Sequence, residues 1–197
     1  MKKFVISLLS VIFLCAAATA QVLVGMTDTT AYFPQLEGRR VAVLANHTAV
    51  ARFGDGAPGV AADAAVRLPG AASDGTIHLV DLLHGRGFDV TGIFSPEHGF
   101  RGTADAGEHV ASSVDAATGI PIRSLYDGNT KRPSDEAMRS FDVLVVDMQD
   151  VGLRFYTYYI TMLRMMDACA ESGRSVIVLD RPNPNGHHVD GPVLDMK

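Results

Sequence analysis

Short runs of purely apolar residues alternate along this chain with stretches whose apolar positions recur at helical spacing. Val41-Ala42-Val43-Leu44, within Arg39 to Ala45, predicts a buried strand that ends at Asn46-His47. Ala51 to Gly75 is rich in Ala, Gly, Pro and Asp, has little periodicity, and reads as a mobile excursion. Ile77, Val80 and Leu83, with Leu79 and Leu82, make one apolar helical stripe closed by Gly85 and Gly87. Val90 to Phe94 predicts the next strand, Thr103 to Thr118 a small-residue loop, and Ile120 to Leu125 a strand leading to Tyr126-Asp127-Gly128. Ser134 is placed to cap a short helix through Ser140, with Asp135 and Glu136 in its first turn, where negative charge suits the helix dipole. Val143-Leu144-Val145-Val146 and Ser175 to Leu179 show no polar alternation, the pattern of strands buried on both faces. Between them a helix is predicted from about Phe155 to Ser172. Tyr156, Tyr159, Ile160, Leu163, Met166 and Ala170 line its apolar face, and Gly173 ends it. The alternation of strand and helix predicts an α/β protein: a doubly wound, mostly parallel sheet with helices on both faces, Rossmann-like in its layers.

The N-terminus changes this picture. Lys2 and Lys3 precede an apolar stretch from Phe4 to Leu14, and Ala18-Thr19-Ala20 offers a small-x-small cleavage site. Residues 1–20 thus read as a signal peptide, too short for a stable membrane span, which places the mature chain in the periplasm or outside the cell. Cys15 raises a lipoprotein reading, but Ile12-Phe13-Leu14 put bulky side chains where a lipobox needs small ones. Residues 21–37 are then an N-terminal segment and 38–197 the Rossmann-like domain. Cleavage takes the net charge from −5 to −7 by removing Lys2 and Lys3. An acidic chain lacking a Lys/Arg cluster is a poor nucleic-acid binder. Cys169 is the cysteine left, so no internal disulfide forms; on an apolar helical pattern it reads as a small buried hydrophobe.

Almost every predicted strand ends in a polar cluster: Asn46-His47, Glu97-His98, Tyr126-Asp127, Asp147-Gln149-Asp150 and Asp180-Arg181-Asn183. In a parallel sheet these ends share one edge, the usual place of the ligand cleft. Ser95-Pro96-Glu97-His98-Gly99-Phe100-Arg101-Gly102 carries an acid, an imidazole and a guanidinium within one short loop. Glu97 there is the strongest catalytic candidate, as a general acid or as the structural partner of Arg101. His98 reads as an orienting, substrate-binding or structural side chain, and Arg101 as a carboxylate clamp or half of an ion pair. Asp147 and Asp150 would flank the cleft mouth and supply the second carboxylate that most glycosidases need. For Asp150, a helix cap or a pair with Arg154 is the alternative. Tyr158 is freer than Tyr156 to offer a ring to a sugar. Asp180, Arg181, Asn183 and Asn185 form a Pro-punctuated recognition loop. His187-His188, Glu97-His98 and Glu108-His109 raise the idea of a metal, but HExxH and compact ligand spacing are missing. GxGxxG, GxxxxGK[ST] and GxSxG are missing too, which argues against a dinucleotide, a nucleoside triphosphate and a serine hydrolase elbow.

Taken together, several of these stretches carry a family resemblance. They are the Ser95–Gly102 loop, Ala106-Gly107-Glu108, Leu125-Tyr126, Val145 to Tyr158, Leu179 to Pro184 and Gly191-Pro192-Val193-Leu194. In this order they resemble the NamZ-type exo-β-N-acetylmuramidases, long carried as a domain of unknown function. The resemblance runs from about Gly38 to Leu194. It implies a peptidoglycan-recycling glycosidase that releases N-acetylmuramic acid from the non-reducing ends of cell-wall glycan fragments and needs no cofactor. It further implies a Rossmann-like domain paired with a smaller C-terminal domain across a cleft, a domain this chain is expected to lack. Glu97 falls in the motif of the family's proposed catalytic glutamate. Asn46, His98, Arg101, Gln149, Arg154, Tyr158, Asp180, Arg181 and Asn183 are expected to bind the muramyl glycan, with Arg101, Arg154 or Arg181 on its lactyl carboxylate. A non-catalytic binder of cell-wall sugars and a metal-dependent hydrolase are the alternatives.

Overall fold

The structure, a computed structural model, describes residues 23–53, 70–100, 112–126, 132–193 and 195. Residues 1–20, expected to be a signal peptide, most of the Ala51–Gly75 excursion, and Arg101, Glu108, His109, Asp127 and Leu194 lie outside the described residues.

The strands are β1 (Arg40–Ala45), β2 (Val50–Arg52), β3 (Thr76–His78), β4 (Asp89–Ser95), β5 (Ser113–Val114), β6 (Pro121–Ser124), β7 (Val143–Asp147) and β8 (Ser175–Val178). The helices are α1 (Thr29–Leu36), α2 (Leu79–Gly85), α3 (Asp135–Arg139) and α4 (Tyr158–Glu171). A six-stranded sheet has the order β5-β6-β4-β1-β7-β8. β6, β4, β1, β7 and β8 are parallel, and β5 adds an antiparallel edge. Ser113–Val114 therefore leave the loop predicted from Thr103 to Thr118 to pair with the start of β6. The doubly wound parallel sheet expected from the apolar runs is the observed one.

Period-two alternation explains why the central strands are apolar throughout. Val41, Val43, Ala45, Ile93, Val143 and Val145 face one core, with Tyr32 and Leu36 of α1 and Leu79, Val80, Leu82 and Leu83 of α2. Ala42, Leu44, Phe94, Leu144 and Val146 face the other, with Ala137 and Met138 of α3 and Met165, Ala168 and Cys169 of α4. Met26, Tyr32 and Leu36 bring the N-terminal segment into the first of these cores. Burial pushes the Cys169 thiol up to about 11, which keeps it protonated and inert.

Two local readings change. The ends of the Ala51–Gly75 excursion pair as an antiparallel ribbon of β2 and β3, so Ile77 is in a strand. The helix after it begins at Leu79, capped by His78, whose Nδ1 accepts the Val80 N–H at 3.2 Å. More consequentially, α4 starts at Tyr158, and its buried face is Tyr158, Thr161, Met165, Ala168 and Cys169. The expected stripe of Tyr159, Leu163 and Met166 is turned outward. Both stripes have helical spacing; packing chooses between them. Burying one large apolar side chain is worth roughly 1.5–3 kcal/mol, and small Ala168 and Cys169 let the helix lie close on the sheet. Ser134 caps α3 as expected, its Oγ accepting the Ala137 N–H at 3.2 Å.

The lower end of the sheet is tied by Asp142. Its carboxylate accepts from Arg40 N at 3.0 Å, Nε at 3.1 Å and Nη2 at 2.7 Å, joining the starts of β1 and β7. These bonds, with nearby Arg174, hold the Asp142 carboxyl down at about 2. A carboxyl held below its unfolded value of about 4 stabilises the fold above that pH. The contribution is lost as pH falls through the folded value. The urea midpoint of the native chain should therefore fall more steeply from about pH 5 to about pH 2.5 than that of Asp142→Asn. Equal slopes would show that the cluster contributes nothing.

Candidate active site at the carboxyl edge of the sheet

The strand order decides what can meet. From β1 the chain moves to one side, through β4 and β6, then returns to the other side for β7 and β8. The carboxyl ends of β4, β1, β7 and β8 are consecutive, and the reversal beside β1 is where open α/β sheets form a ligand crevice. Asn46 follows β1, Glu97 follows β4, Asp147 closes β7, and Asp180 and Arg181 follow β8.

Glu97 occupies a corner of a four-residue turn closed by the Gly99 N–H on the Pro96 carbonyl, 3.1 Å. His98 holds a left-handed φ of 70°, uncommon for a residue with a Cβ, and Gly99 follows at 78°. The turn lifts the half-buried Glu97 carboxylate above the sheet edge. Its Oε2 accepts the Thr157 hydroxyl at 2.7 Å. Thr157 is the residue before α4, so the first turn of that helix positions the acid.

Tyr158, next to Thr157, is 3% exposed, and its ring meets Tyr156 edge-on at 4.8 Å. It is not an open platform for a sugar ring; the later start of α4 turns it inward. Burial raises the pKa of its hydroxyl, the Asn46 amide opposes the shift, and Tyr156 and Glu97 add to it. Asn46 is fixed from three sides. Its Oδ1 accepts from Thr48 N at 3.0 Å and Thr48 Oγ1 at 2.6 Å. Its carbonyl lies 2.9 Å from His78 Nε2. Because His78 Nδ1 accepts from Val80, the proton sits on Nε2 and is donated to Asn46. The buried Asn46 Nδ2 lies by the Tyr158 hydroxyl without reaching hydrogen-bond geometry.

The two aspartates differ. Asp147 is fully buried, and both its oxygens are taken by Arg181: Nε donates to Oδ1, and Nη2 to Oδ2 at 3.0 Å. Burial pushes the Asp147 carboxyl up, and the guanidinium pulls it back. Arg181 Nη2 also donates to the Val50 carbonyl at 3.0 Å, fastening the β2–β3 ribbon to the sheet. Among the described residues, Asp150 caps no helix and pairs with no arginine. Its Oδ1 accepts the Gly152 N–H at 2.7 Å, while Oδ2 is buried and accepts no hydrogen bond.

The remaining residues mainly shape the loops. Gln149 Nε2 donates to the carbonyls of Asp150, 2.7 Å, and Pro182, 3.1 Å. Its backbone N–H donates to Thr48 Oγ1 at 3.0 Å, which links the Asp150 loop to Asn46. Asn183 Oδ1 accepts the Asn185 N–H at 2.9 Å, and its amide presses on Gly152, where a Cβ would collide. Asp180 Oδ1 accepts the Arg181 N–H at 2.9 Å, and Arg154 donates outward to the Pro192 carbonyl at 2.8 Å. Among the described residues, no three His, Cys, Asp or Glu side chains are grouped as a metal would require.

Thr157 and Thr48 are the organising side chains that the sequence reading passed over. Thr157 carried a usable signal: a threonine before an apolar helical run marks a helix start. Thr48 carried none, because its partner Gln149 lies 101 residues away in sequence.

The sequence profile described as exo-β-N-acetylmuramidase NamZ, N-terminal, matches residues 60–197. The chain belongs to this family. A NamZ relative from Bacillus subtilis (strain 168), named peptidoglycan β-N-acetylmuramidase NamZ, is 49% identical over 118 residues. That match takes in 59% of this chain and 28% of the relative, so the chain spans little more than a quarter of that protein. Two crystal structures of DUF1343 family proteins from Bacteroides fragilis NCTC 9343 have the same fold. One superposes with a TM-score of 0.66 at 46% identity, covering 90% of this chain and 39% of the other. The second gives 0.64 at 33% identity, covering 88% and 38%. The sheet order and the turn that carries Glu97 are thus the setting of a NamZ N-terminal domain.

Proposed function

We propose that this chain supplies the acid-bearing half of a glycoside hydrolase that releases N-acetylmuramic acid from the non-reducing ends of peptidoglycan fragments. The single observation that carries the reading is Glu97: half-buried at the switch point, with one oxygen accepting from Thr157. The Thr157 hydroxyl orients this carboxyl group, which is placed to deliver a proton to the glycosidic oxygen. Asp150 is the second carboxylate, because its Oδ2 is uncommitted while both Asp147 oxygens hold Arg181. Its charge stabilises the oxocarbenium-like transition state. Asp147 positions Arg181 and the loop around it. The lactyl carboxylate falls to Arg154, the exposed arginine beside the cleft loops, or to Arg101.

The name of the Bacillus relative supports the substrate class. An exported chain, with residues 1–20 as a signal peptide, 21–37 as a lead-in and 38–197 as the domain, suits a cell-wall substrate. Among the described residues, no helix is long and apolar enough to cross a membrane.

Turnover of an aryl N-acetyl-β-muramide tests the reading. Release of the aryl group supports it; tight binding of the glycoside with no release would favour a non-catalytic sugar binder.

A further inference from the structure

Arg123 is a charged residue inside the sheet that the glycan reading does not use. It lies on β6, opposite Phe94 of β4, and its guanidinium rests against Gly92. A Cβ at Gly92 would collide with Arg123 Nη1. The glycine inside the apolar strand β4 therefore makes room for a cation. Nη1 is buried and has no hydrogen-bond partner among the described residues. Leaving a buried donor unpaired costs on the order of 1–3 kcal/mol, and more when it is charged. The seat is made for an acceptor that arrives from outside.

Arg123 lines a cavity of about 430 Å³ between β6 and the start of α3. Small-molecule pockets run from roughly 300 to 1,000 Å³. The sheet order puts this one across β4 from the Asp147–Arg181 pair. Ser112, Ser124 and Ser134 share its wall with Arg123. The three Oγ atoms accept backbone N–H groups, from Ser124 at 3.2 Å, Tyr126 at 3.0 Å and Ala137 at 3.2 Å respectively. A hydroxyl that accepts in this way still has its own hydrogen to donate. Arg132, on the same wall, is paired with Glu171. Glu136 is the carboxylate on the wall; it is exposed and screened by water, whereas Arg123 Nη1 is buried.

These groups narrow the ligand. A cation would be repelled by Arg123, and a neutral donor would find few acceptors. A carboxylate holds its two oxygens in one plane. The serines come from three segments, before β5, on β6 and before α3, so their hydroxyls converge from different directions. A phosphate, with three terminal oxygens arranged tetrahedrally, suits that convergence, and the cavity leaves room for a substituent on the fourth. We infer that this cavity binds a small phosphate monoester, its phosphate held by Arg123 and the three serine hydroxyls.

The probe is glycerol 3-phosphate, titrated into the isotope-labelled chain and followed by NMR. Glycerate, a carboxylate of similar size, is compared at equal ionic strength. The amide signals of Ser124, Tyr126 and Ala137, whose N–H groups bond to the serine hydroxyls, should move. The phosphate should bind about tenfold or more tighter than glycerate. Arg123→Gln should weaken the phosphate by about tenfold or more without lowering Tm, since it removes a cation whose buried Nη1 is unpaired. Glu136→Gln, at an exposed position of α3, should tighten it by about two- to fivefold. That variant supplies the reading if Arg123→Gln does not fold. Glycerate binding as tightly as the phosphate would overturn the inference. So would shifts confined to the Glu97 turn, or an affinity that neither substitution changes.

Discussion

Glu97→Gln should lower turnover of a muramyl glycan fragment, whose leaving sugar must be protonated, by about a thousandfold while leaving the fold and sugar binding intact. The range for a positioned general acid is roughly 10²–10⁴. Glutamine matches glutamate in shape, and its Oε1 can still accept the Thr157 hydroxyl now on Oε2 at 2.7 Å. What it lacks is the proton. The loss should therefore appear in kcat with KM little changed, because the interaction lost is made in the transition state. Glycosides whose leaving groups need no protonation should be affected least. Thr157→Val removes the bond that orients the acid and should give a smaller loss of the same kind. Near-normal kcat in Glu97→Gln would remove Glu97 from the acid role.

The second large effect concerns stability. Asp147 is 0% and Arg181 8% exposed at the side chain, and each is the other's charge partner. Arg181→Met leaves a buried carboxylate at the end of β7 without its charge partner. Breaking such a pair costs about 3–5 kcal/mol, or roughly 10 °C in Tm for a domain of this size. It also releases the Val50 carbonyl, so the β2–β3 ribbon should loosen. Asp147→Asn should be comparably destabilising, and the double change Asp147→Leu with Arg181→Met should recover much of the loss, since it leaves no buried charge without a partner. Thermal unfolding reads all three. A different outcome would reverse the assignment: Asp147→Asn as stable as the native chain but without turnover would make Asp147 the reacting carboxylate.

These two predictions separate residues that look alike in the sequence. Asp147 and Asp150 both follow the same apolar run, and Arg101, Arg154 and Arg181 all follow strand-end clusters. Local sequence says that such groups belong to one sheet edge. It does not say which carboxylate meets which guanidinium, because Arg181 reaches Asp147 from the neighbouring strand. The Asn46–Thr48–Gln149 chain is another contact between segments far apart in sequence, and no local pattern announces it.

The five parallel strands, the sheet type and the placement of Glu97 at a strand end follow from the sequence alone. All-apolar runs can satisfy both faces only inside a covered parallel sheet, and each run ends where its polar cluster begins. The capping of α3 by Ser134 is equally local. The face of α4 was decided only in three dimensions. Two stripes, Tyr159–Leu163–Met166 and Tyr158–Thr161–Met165–Ala168, have the same helical period, so periodicity cannot rank them. The sheet ranks them through close packing at Ala168 and Cys169. That choice turned Tyr158 inward and set Thr157 against Glu97. The chemistry of the edge is thus written in the residue types, while the pairing of its charges depends on which strands lie side by side.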